Sequence, residues 1–217
     1  MAYGFIGATP TQNKRTGNTG VLSTADIIQL KQLDQLNGWG DDFYKIATSN
    51  ITNQASIDFT GCDYTRDYLL VWNNVTFSAS GGYFNLRVSN NNGVSWQSSA
   101  EYDSNLYYCR GTTDTYDYVS SAITADRIGT SSNNGTGHCF NGFVYMDGYR
   151  GFDTQGTGMR ITGLGVNIHT SASDAIEYNR INGRFTYKPI DINAIQVYSS
   201  TASMSGRFTL YQYIRGG

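Results

Sequence analysis

The feature that most constrains this fold is an alternation of apolar and polar residues that recurs through most of the chain. The segments ASIDFT (55–60), YFNLRVSN (83–90) and GRFTLYQY (206–213) each place an apolar side chain at every second position. Successive side chains of a strand point to opposite sides, so this pattern predicts strands that bury one face. The predicted inward residues include Ala55, Ile57, Phe59, Phe84, Leu86, Val88, Phe208 and Leu210.

Composition also favours strands over helices. The 217 residues include 25 Gly and 17 Tyr, and only 15% are charged. Aromatic and Thr-rich segments interrupted by Gly and Asn fit pleated surfaces joined by tight turns, whereas helices favour Ala, Leu, Glu and Lys. We therefore predict an all-β fold of about ten antiparallel strands in a two-sheet sandwich, with a jelly roll as its expected form.

Three regions of the predicted sandwich carry specific expectations. Asn92-Gly93 predicts a type I′ hairpin, with Val94 and Trp96 on the returning strand. Residues 110–160 are rich in Gly, Asp, Thr and Asn, which predicts long loops around short strands. The closing strand, 207–214, runs almost to the last residue, and we expect it to pair centrally, beside strands from the first half of the chain.

The first part of the chain differs from the rest, which predicts two parts: a docking arm with one short helix over 1–40 and the β-sandwich over 41–217. Residues 1–22 carry too few apolar side chains to fold alone. Residues 23–38 (STADIIQLKQLDQLNG) predict a helix with a capping box at its start. It either lies on its own domain or docks another subunit. The predicted docking residues are Tyr3, Phe5, Ile6, Ile27, Ile28, Leu30 and Leu33.

Charge and apolar runs exclude several classes of protein. The formal net charge is −2 and no basic stripe occurs, so nucleic acid is not a predicted partner. No apolar run approaches the roughly 20 residues of a membrane helix, and no secretory signal is expected from the N-terminal residues. Cys62, Cys109 and Cys139 are widely spaced and are expected to be reduced thiols, although one disulfide plus a free thiol is the alternative.

The residues that carry chemistry favour a role other than catalysis. There are two histidines, no G-x-S-x-G elbow and no closely paired zinc ligands, so neither a metal nor a cofactor is predicted. Loop acids such as Asp114 and Asp117 fit turns better than calcium sites. A glycosidase carboxylate pair remains an alternative. Aromatic faces beside polar groups bind sugars or proteins, and the candidate ligand surface is Tyr116, Tyr118, Tyr149 and Asp153.

Two segments resemble virion proteins of tailed bacteriophages. GFIGATPTQNKRTGNTGVLSTADIIQL (4–30) is similar to the arm-plus-helix start of small structural proteins in marine and cyanobacterial phages. INAIQVYSSTASMSGRFTLYQYIRG (192–216) is similar to a closing module of phage β-sandwich proteins. That module reads I-x-x-I-x-V/L-Y-S, then a Gly/Ser spacer, then G-x-F-T-L-Y, and this chain has Val197 at the V/L position.

The resemblance implies a non-enzymatic virion component that assembles in the host cytoplasm. Its arm would dock on capsid, portal or tail proteins, and its sandwich would face the particle exterior as a head or tail fibre or a decoration protein. Virion sites are symmetric, so a homo-oligomer is expected, with a trimer as one suggestion. The alternative is a carbohydrate- or receptor-binding module of a tail fibre that recognises a host surface glycan.

Overall fold

The computed structural model describes residues 42–63, 66–79, 83–98, 101–110, 114–130, 139–147, 159–169, 175–185 and 192–214. These residues belong to one compact unit, Phe43–Ile214, except for Asp42, which falls in a second unit formed by the two ends of the chain. The predicted arm and helix lie outside the described residues. So do the predicted docking residues Tyr3, Phe5, Ile6, Ile27, Ile28, Leu30 and Leu33.

The described residues form twelve strands and no helix, which confirms the all-β prediction. The strands are β1 (Asp42–Gln54), β2 (Ser56–Thr60), β3 (Asp67–Phe77), β4 (Tyr83–Ser89), β5 (Tyr102–Arg110), β6 (Asp114–Ile123), β7 (Asp126–Thr130), β8 (Phe140–Asp147), β9 (Arg160–His169), β10 (Ala175–Phe185), β11 (Ala194–Ser199) and β12 (Met204–Ile214).

The strands form two antiparallel sheets. The large sheet has eight strands in the order β1-β12-β3-β8-β9-β10-β5-β6, and the small sheet has four in the order β2-β11-β4-β7. The closing strand β12 lies between β1 and β3, so the expectation that it pairs centrally with strands from the first half is confirmed. A central position satisfies the backbone groups of a strand on both sides.

The pairing has a nested order when two hairpins are set aside. Hairpins β5–β6 and β9–β10 lie next to each other and extend the large sheet beyond β8. The remaining strands pair from the outside in: β1 with β12, β2 with β11, β3 with β8, and β4 with β7. The two hairpins therefore widen one sheet without changing the pairing of the others.

An aromatic cluster joins the two sheets. Phe84, on β4 of the small sheet, is fully buried, and its ring centroid lies 5.3 Å from that of Trp72 and 5.6 Å from that of Phe140. Both partners belong to the large sheet. So does Phe208 of β12, whose ring centroid lies 6.1 Å from that of Phe84. The predicted inward residues Ile57, Phe59, Phe84, Leu86, Val88, Phe208 and Leu210 are buried, whereas Ala55, which precedes β2, is exposed.

A second buried aromatic, Tyr102, connects the small sheet to the start of β5. Its hydroxyl accepts a hydrogen bond from the Val88 amide at 3.0 Å and donates to the Gln97 carbonyl at 3.2 Å. Its ring lies 4.9 Å from the ring of Phe185 on β10. Burial raises the pKa of Tyr102, so the hydroxyl stays protonated and keeps its donor role.

The strand β12 begins with a bulge that requires glycine. Its pairing with β3 shifts between Ser205 and Arg207, and the intervening Gly206 has φ +155°. A Cβ atom at Gly206 would lie 2.8 Å from the Val75 Cα atom. The backbone angle and the close approach therefore both exclude a larger residue here.

The predicted hairpin at Asn92-Gly93 is wrong in its second half. Both residues have positive φ, as a type I′ turn requires, but residues 94–98 form no strand and Val94 is 86% exposed. The Ser89 hydroxyl accepts from the amide of Gly93 at 3.0 Å, and the Asn91 side-chain oxygen accepts from that of Ser95 at 2.9 Å. These local hydrogen bonds replace the ladder that a returning strand would make.

The predicted long loops between residues 110 and 160 are also partly wrong. Three strands, β6, β7 and β8, lie in this region, and β6 pairs with β5 along most of its length. Many of its residues are Thr, Tyr and Val, which suit a pleated strand, but their neighbouring Asp and Gly residues suggested turns. Residues 131–138 and 148–158 lie outside the described residues.

Candidate interaction surface

The outward face of the large sheet carries an unusual group of exposed apolar side chains. The apolar patch, as we call it, consists of Tyr107, Phe143, Leu164, Val166, Ile176 and Tyr178. Each of these side chains is between 40% and 56% exposed. Single exposed apolar residues are ordinary on protein surfaces, whereas a contiguous group marks a site of contact.

Strand register shows that the apolar patch is continuous. Phe143 on β8 lies opposite Leu164 on β9, and Leu164 lies opposite Arg180 on β10. One step along the same strands, Val166 lies opposite Tyr178. Residues opposite each other in a sheet point to the same side, so these side chains share one surface across neighbouring strands.

The same face ends in charged residues, which we call the charged row. Asp147, Arg160, Arg184 and Asp103 follow one another across β8, β9, β10 and β5. Arg160 lies 3.3 Å from Asp147, and Arg184 lies 2.6 Å from Asp103. Two positive and two negative side chains therefore compensate one another at this edge of the patch.

A shallow depression lies between the apolar patch and the charged row. It is lined by Phe143, Tyr145, Thr162, Gly163, Leu164, Arg180, Ile181 and Asn182. Along β8 and β9, the outward positions begin with the ion pair Asp147 and Arg160, continue with Tyr145 and Thr162, and reach apolar Phe143 and Leu164. This face therefore combines a flat apolar centre with a polar margin.

The outward face of the small sheet is built differently. Its arginine–aromatic cluster consists of Tyr83, Arg87, Trp96, Arg127 and Tyr198. The Arg87 guanidinium carbon lies 4.6 Å from the centre of the Tyr198 ring and 5.8 Å from that of Trp96. The Arg127 guanidinium carbon lies 3.5 Å from the centre of the Tyr83 ring. Cations over aromatic faces are attracted by the electrons of the ring.

A hydrogen-bonded chain extends this cluster across three strands. The Arg87 Nε atom donates to Gln196 Oε1 at 2.6 Å, and Gln196 Nε2 donates to Asp58 Oδ1 at 2.7 Å. Gln196 lies opposite both Asp58 and Arg87 in the strand register. The polar groups of this face therefore bond mainly to one another.

Asp126 places a buried carboxyl group between the sheets. It lies on β7, is fully buried, and occupies space beside Gly183 of β10, where a Cβ atom would overlap its Oδ2. Neither carboxyl oxygen has a hydrogen bond of good geometry among the described residues. Burial raises the pKa of Asp126 to about 8, and the neighbouring Ser104 hydroxyl and Arg127 amide offset this only in part.

Other reactive groups in the described part of the chain are dispersed. Buried Glu177 accepts a hydrogen bond from Asn179 Nδ2 at 3.3 Å on the same strand. Cys62 is a buried free thiol, and its burial raises the pKa of the thiol to about 12. Cys139 is a half-buried free thiol. No group of three His, Cys, Asp or Glu residues that could hold a metal lies within the described ranges.

The candidate ligand residues from the sequence are only partly described. Tyr116 and Tyr118 lie on β6, opposite Tyr108 and Leu106 of β5. Tyr149 and Asp153 lie outside the described residues, so the predicted surface stays a prediction.

The sequence prediction did not include the apolar patch. In β9, Leu164 and Val166 are outward and Gly163 and Gly165 occupy the other side. An apolar residue that alternates with glycine, instead of with a polar residue, was the signal available in the sequence. It indicates a strand that is apolar on the face away from the core.

Among the described residues, no helix is long and apolar enough to cross a membrane. No protein family, curated protein or solved structure matches the chain.

Proposed function

We propose that this chain is a non-enzymatic structural component of a tailed-phage virion. Its N-terminal arm, 1–40, anchors it to capsid, portal or tail proteins, and its β-sandwich faces the particle exterior as a fibre or decoration protein. It is made in the host cytoplasm and acts in the virion as a homo-oligomer. The observation that carries this proposal is the apolar patch, supported by the resemblance of residues 4–30 and 192–216 to phage proteins.

The apolar patch favours an assembly role because it is costly on an isolated protein. Its side chains remain exposed on a sheet face that is not required to bury the core. A contiguous patch of this kind gains free energy only when another surface covers it, at roughly 25 cal/mol per Å² of apolar area. A protein that works in an assembly provides such a cover.

We also infer that the sandwich is a jelly roll. The support is the nested pairing of β1 with β12, β2 with β11, β3 with β8 and β4 with β7. A chain that folds back on itself as one long hairpin and then wraps into two sheets produces this order, which contains two Greek keys. The β5–β6 and β9–β10 hairpins are then insertions that widen one sheet.

Mass spectrometry with copy-number counting on purified particles from the source tests the virion role. We expect the chain to be present in a fixed number of copies per particle. Hundreds of copies would assign it to capsid decoration, and a few to a few dozen would assign it to the portal, tail or fibre. Complete absence from particles would overturn the proposal.

The second candidate function is a carbohydrate- or receptor-binding module, and the arginine–aromatic cluster favours it. Tyr198, Trp96 and Arg87 provide ring faces and a cation, and Asp58 and Gln196 provide hydrogen-bonding groups on the same sheet face. Sugars are recognised by stacking on rings and by such polar groups. Glycan-array binding by the full chain that is lost in Trp96→Ala, but kept in Val94→Ala, would support this function. No binding to any host-surface glycan would exclude it.

A further inference from the structure

We propose, on the basis of the assembly role above, that the apolar patch is a homotypic interface. A second copy of this chain would pack its own patch against it about a two-fold axis. The sheet face, its area, its charges and its pattern along β10 support this partner over an unrelated protein.

The flat shape of the patch favours another sheet as the occupant. The side chains lie on neighbouring strands of one sheet, and the depression beside them is shallow. A helix or an extended peptide is usually received by a groove, whereas two sheet faces pack flat against each other about 10 Å apart. A second copy always supplies a sheet face with the matching shape.

The area of the patch fits the centre of a dimer interface. Together with Arg180, which lies opposite both Leu164 and Tyr107, the patch spans β8, β9, β10 and β5 and runs from Ile176 to Arg180 along β10. At about 4.8 Å between strands and about 3.4 Å per residue, this corresponds to roughly 300 Å². A stable dimer buries about 800 Å² per partner, with an apolar centre and a polar rim. The neutral polar positions and the charged row would supply that rim.

The charges allow two copies to approach. The charged row contains two arginines and two aspartates that already form ion pairs. The formal net charge of the whole chain is only −2, so the repulsion between copies is weak. The one cation among the patch positions, Arg180, is the group that most needs a partner in a closed interface.

In a two-fold dimer, the spacing of Tyr178 and Arg180 along β10 gives Arg180 a partner in the second copy. Tyr178 and Arg180 are two residues apart and both are exposed on the outward face. A two-fold axis that passes between them sets Arg180 over the ring of the partner's Tyr178, and the reverse contact forms at the same time. The interface then contains two cation–π contacts and leaves no cation alone in its apolar centre.

The contact would be a two-fold pair and not the trimer suggested by virion symmetry. Identical patches that face each other are related by a two-fold axis, whereas a trimer uses two different surfaces of each copy. The number of copies in solution therefore separates these arrangements.

Sedimentation velocity of the full chain over a range of concentrations tests the proposal. We expect a monomer–dimer equilibrium that Leu164→Glu weakens by about 30-fold or more, because a charge would be buried at the centre of the interface. The control is Val94→Glu, which makes the same kind of apolar-to-acidic change at an exposed residue outside the patch and should leave the equilibrium unchanged. Far-UV circular dichroism checks that each variant is folded.

Val166→Thr gives a second test if Leu164→Glu does not fold, because it keeps the shape of the side chain and replaces only one methyl group with a hydroxyl group. We expect it to weaken the dimer by about 3-fold to 10-fold. Tyr178→Ala and Arg180→Ala should each weaken the dimer. Because both substitutions remove the same contact, the double variant should lose less dimerisation free energy than the sum of the two single losses.

Several outcomes would overturn the interface. A chain that is monomeric at all concentrations, a trimer, or equal effects of Leu164→Glu and Val94→Glu would each do so. The outcomes are distinct from those for the virion role. A monomer found in purified particles would remove only the interface, and a patch-dependent dimer that is absent from particles would remove only the virion role.

Discussion

The two outward faces of this sandwich differ in how their large side chains are surrounded. On the small sheet, Arg87 stacks on Tyr198 and donates to Gln196, so large and charged side chains bond to one another. On the large sheet, Leu164 and Tyr178 lie beside other apolar side chains and remain more than half exposed. One face bonds mainly within itself, and the other leaves apolar side chains exposed.

The difference reflects how polar and apolar side chains can be stabilised on a sheet face. An arginine can form hydrogen bonds and cation–π contacts with residues of its own sheet face, so such a face satisfies many of its polar groups internally. Apolar side chains on one sheet face contact their neighbours from the side, but their outer ends stay in water unless another surface covers them. Exposure of the apolar patch is therefore more informative about assembly than exposure of the arginine–aromatic cluster.

The largest expected effect concerns Asp126, which lies between the sheets that carry the two faces. Its pKa rises from 3.8 when unfolded to about 8 when folded, so the carboxyl group stays protonated in the core while the unfolded chain ionises. Stability from this group is complete below about pH 4 and is lost as pH rises to about 8, by up to about 5 kcal/mol.

Asp126→Asn should remove this pH dependence, because an amide does not titrate. The free energy of unfolding, measured by chemical denaturation at several pH values, should show the difference between variant and parent growing from acid to about pH 8. Asp147→Asn is the matched control, since Asp147 is partly exposed in the charged row and should not flatten the curve. A parent whose stability is constant over this range would contradict the prediction.

The next prediction compares the stability lost when a phenylalanine is removed from the core and from the apolar patch. Phe84→Ala should lower the free energy of unfolding by about 3–5 kcal/mol, because Phe84 fills the space between the sheets against Trp72 and Phe140. Phe143→Ala removes the same side chain from the apolar patch and should cost the isolated monomer less than about 1 kcal/mol. Thermal denaturation at low protein concentration compares them. Equal losses would show that the patch belongs to the core.

The smallest effect compares an arginine from each face. Arg87→Met should cost about 1–3 kcal/mol, since it leaves the buried Gln196 without its donor and removes the stacking on Tyr198. Arg160→Met breaks only an exposed ion pair and should change stability by about 0.5 kcal/mol or less. Urea unfolding of both variants measures the difference. A larger loss for Arg160 would reverse the comparison between the two faces.

Alternation in the sequence predicted much of the fold correctly. It identified the strands that contain Ile57, Phe84 and Phe208, because one buried face leaves a period of two in the residues themselves. It was less successful for β6, where Asp and Thr suggested turns, and after Asn92-Gly93, where side-chain hydrogen bonds replaced the expected strand. In both places the local preference of the residues was compatible with more than one structure.

By itself, the sequence determined that this chain is a β protein and which face is buried in the strands that alternate clearly. These properties follow from the order of side chains along single segments. Only the tertiary structure decided that Leu164 and Tyr178 form one outward surface and that Asp126 is buried beside Gly183. Contacts of this kind depend on which distant strands become neighbours, and residue order along one strand does not specify its neighbours.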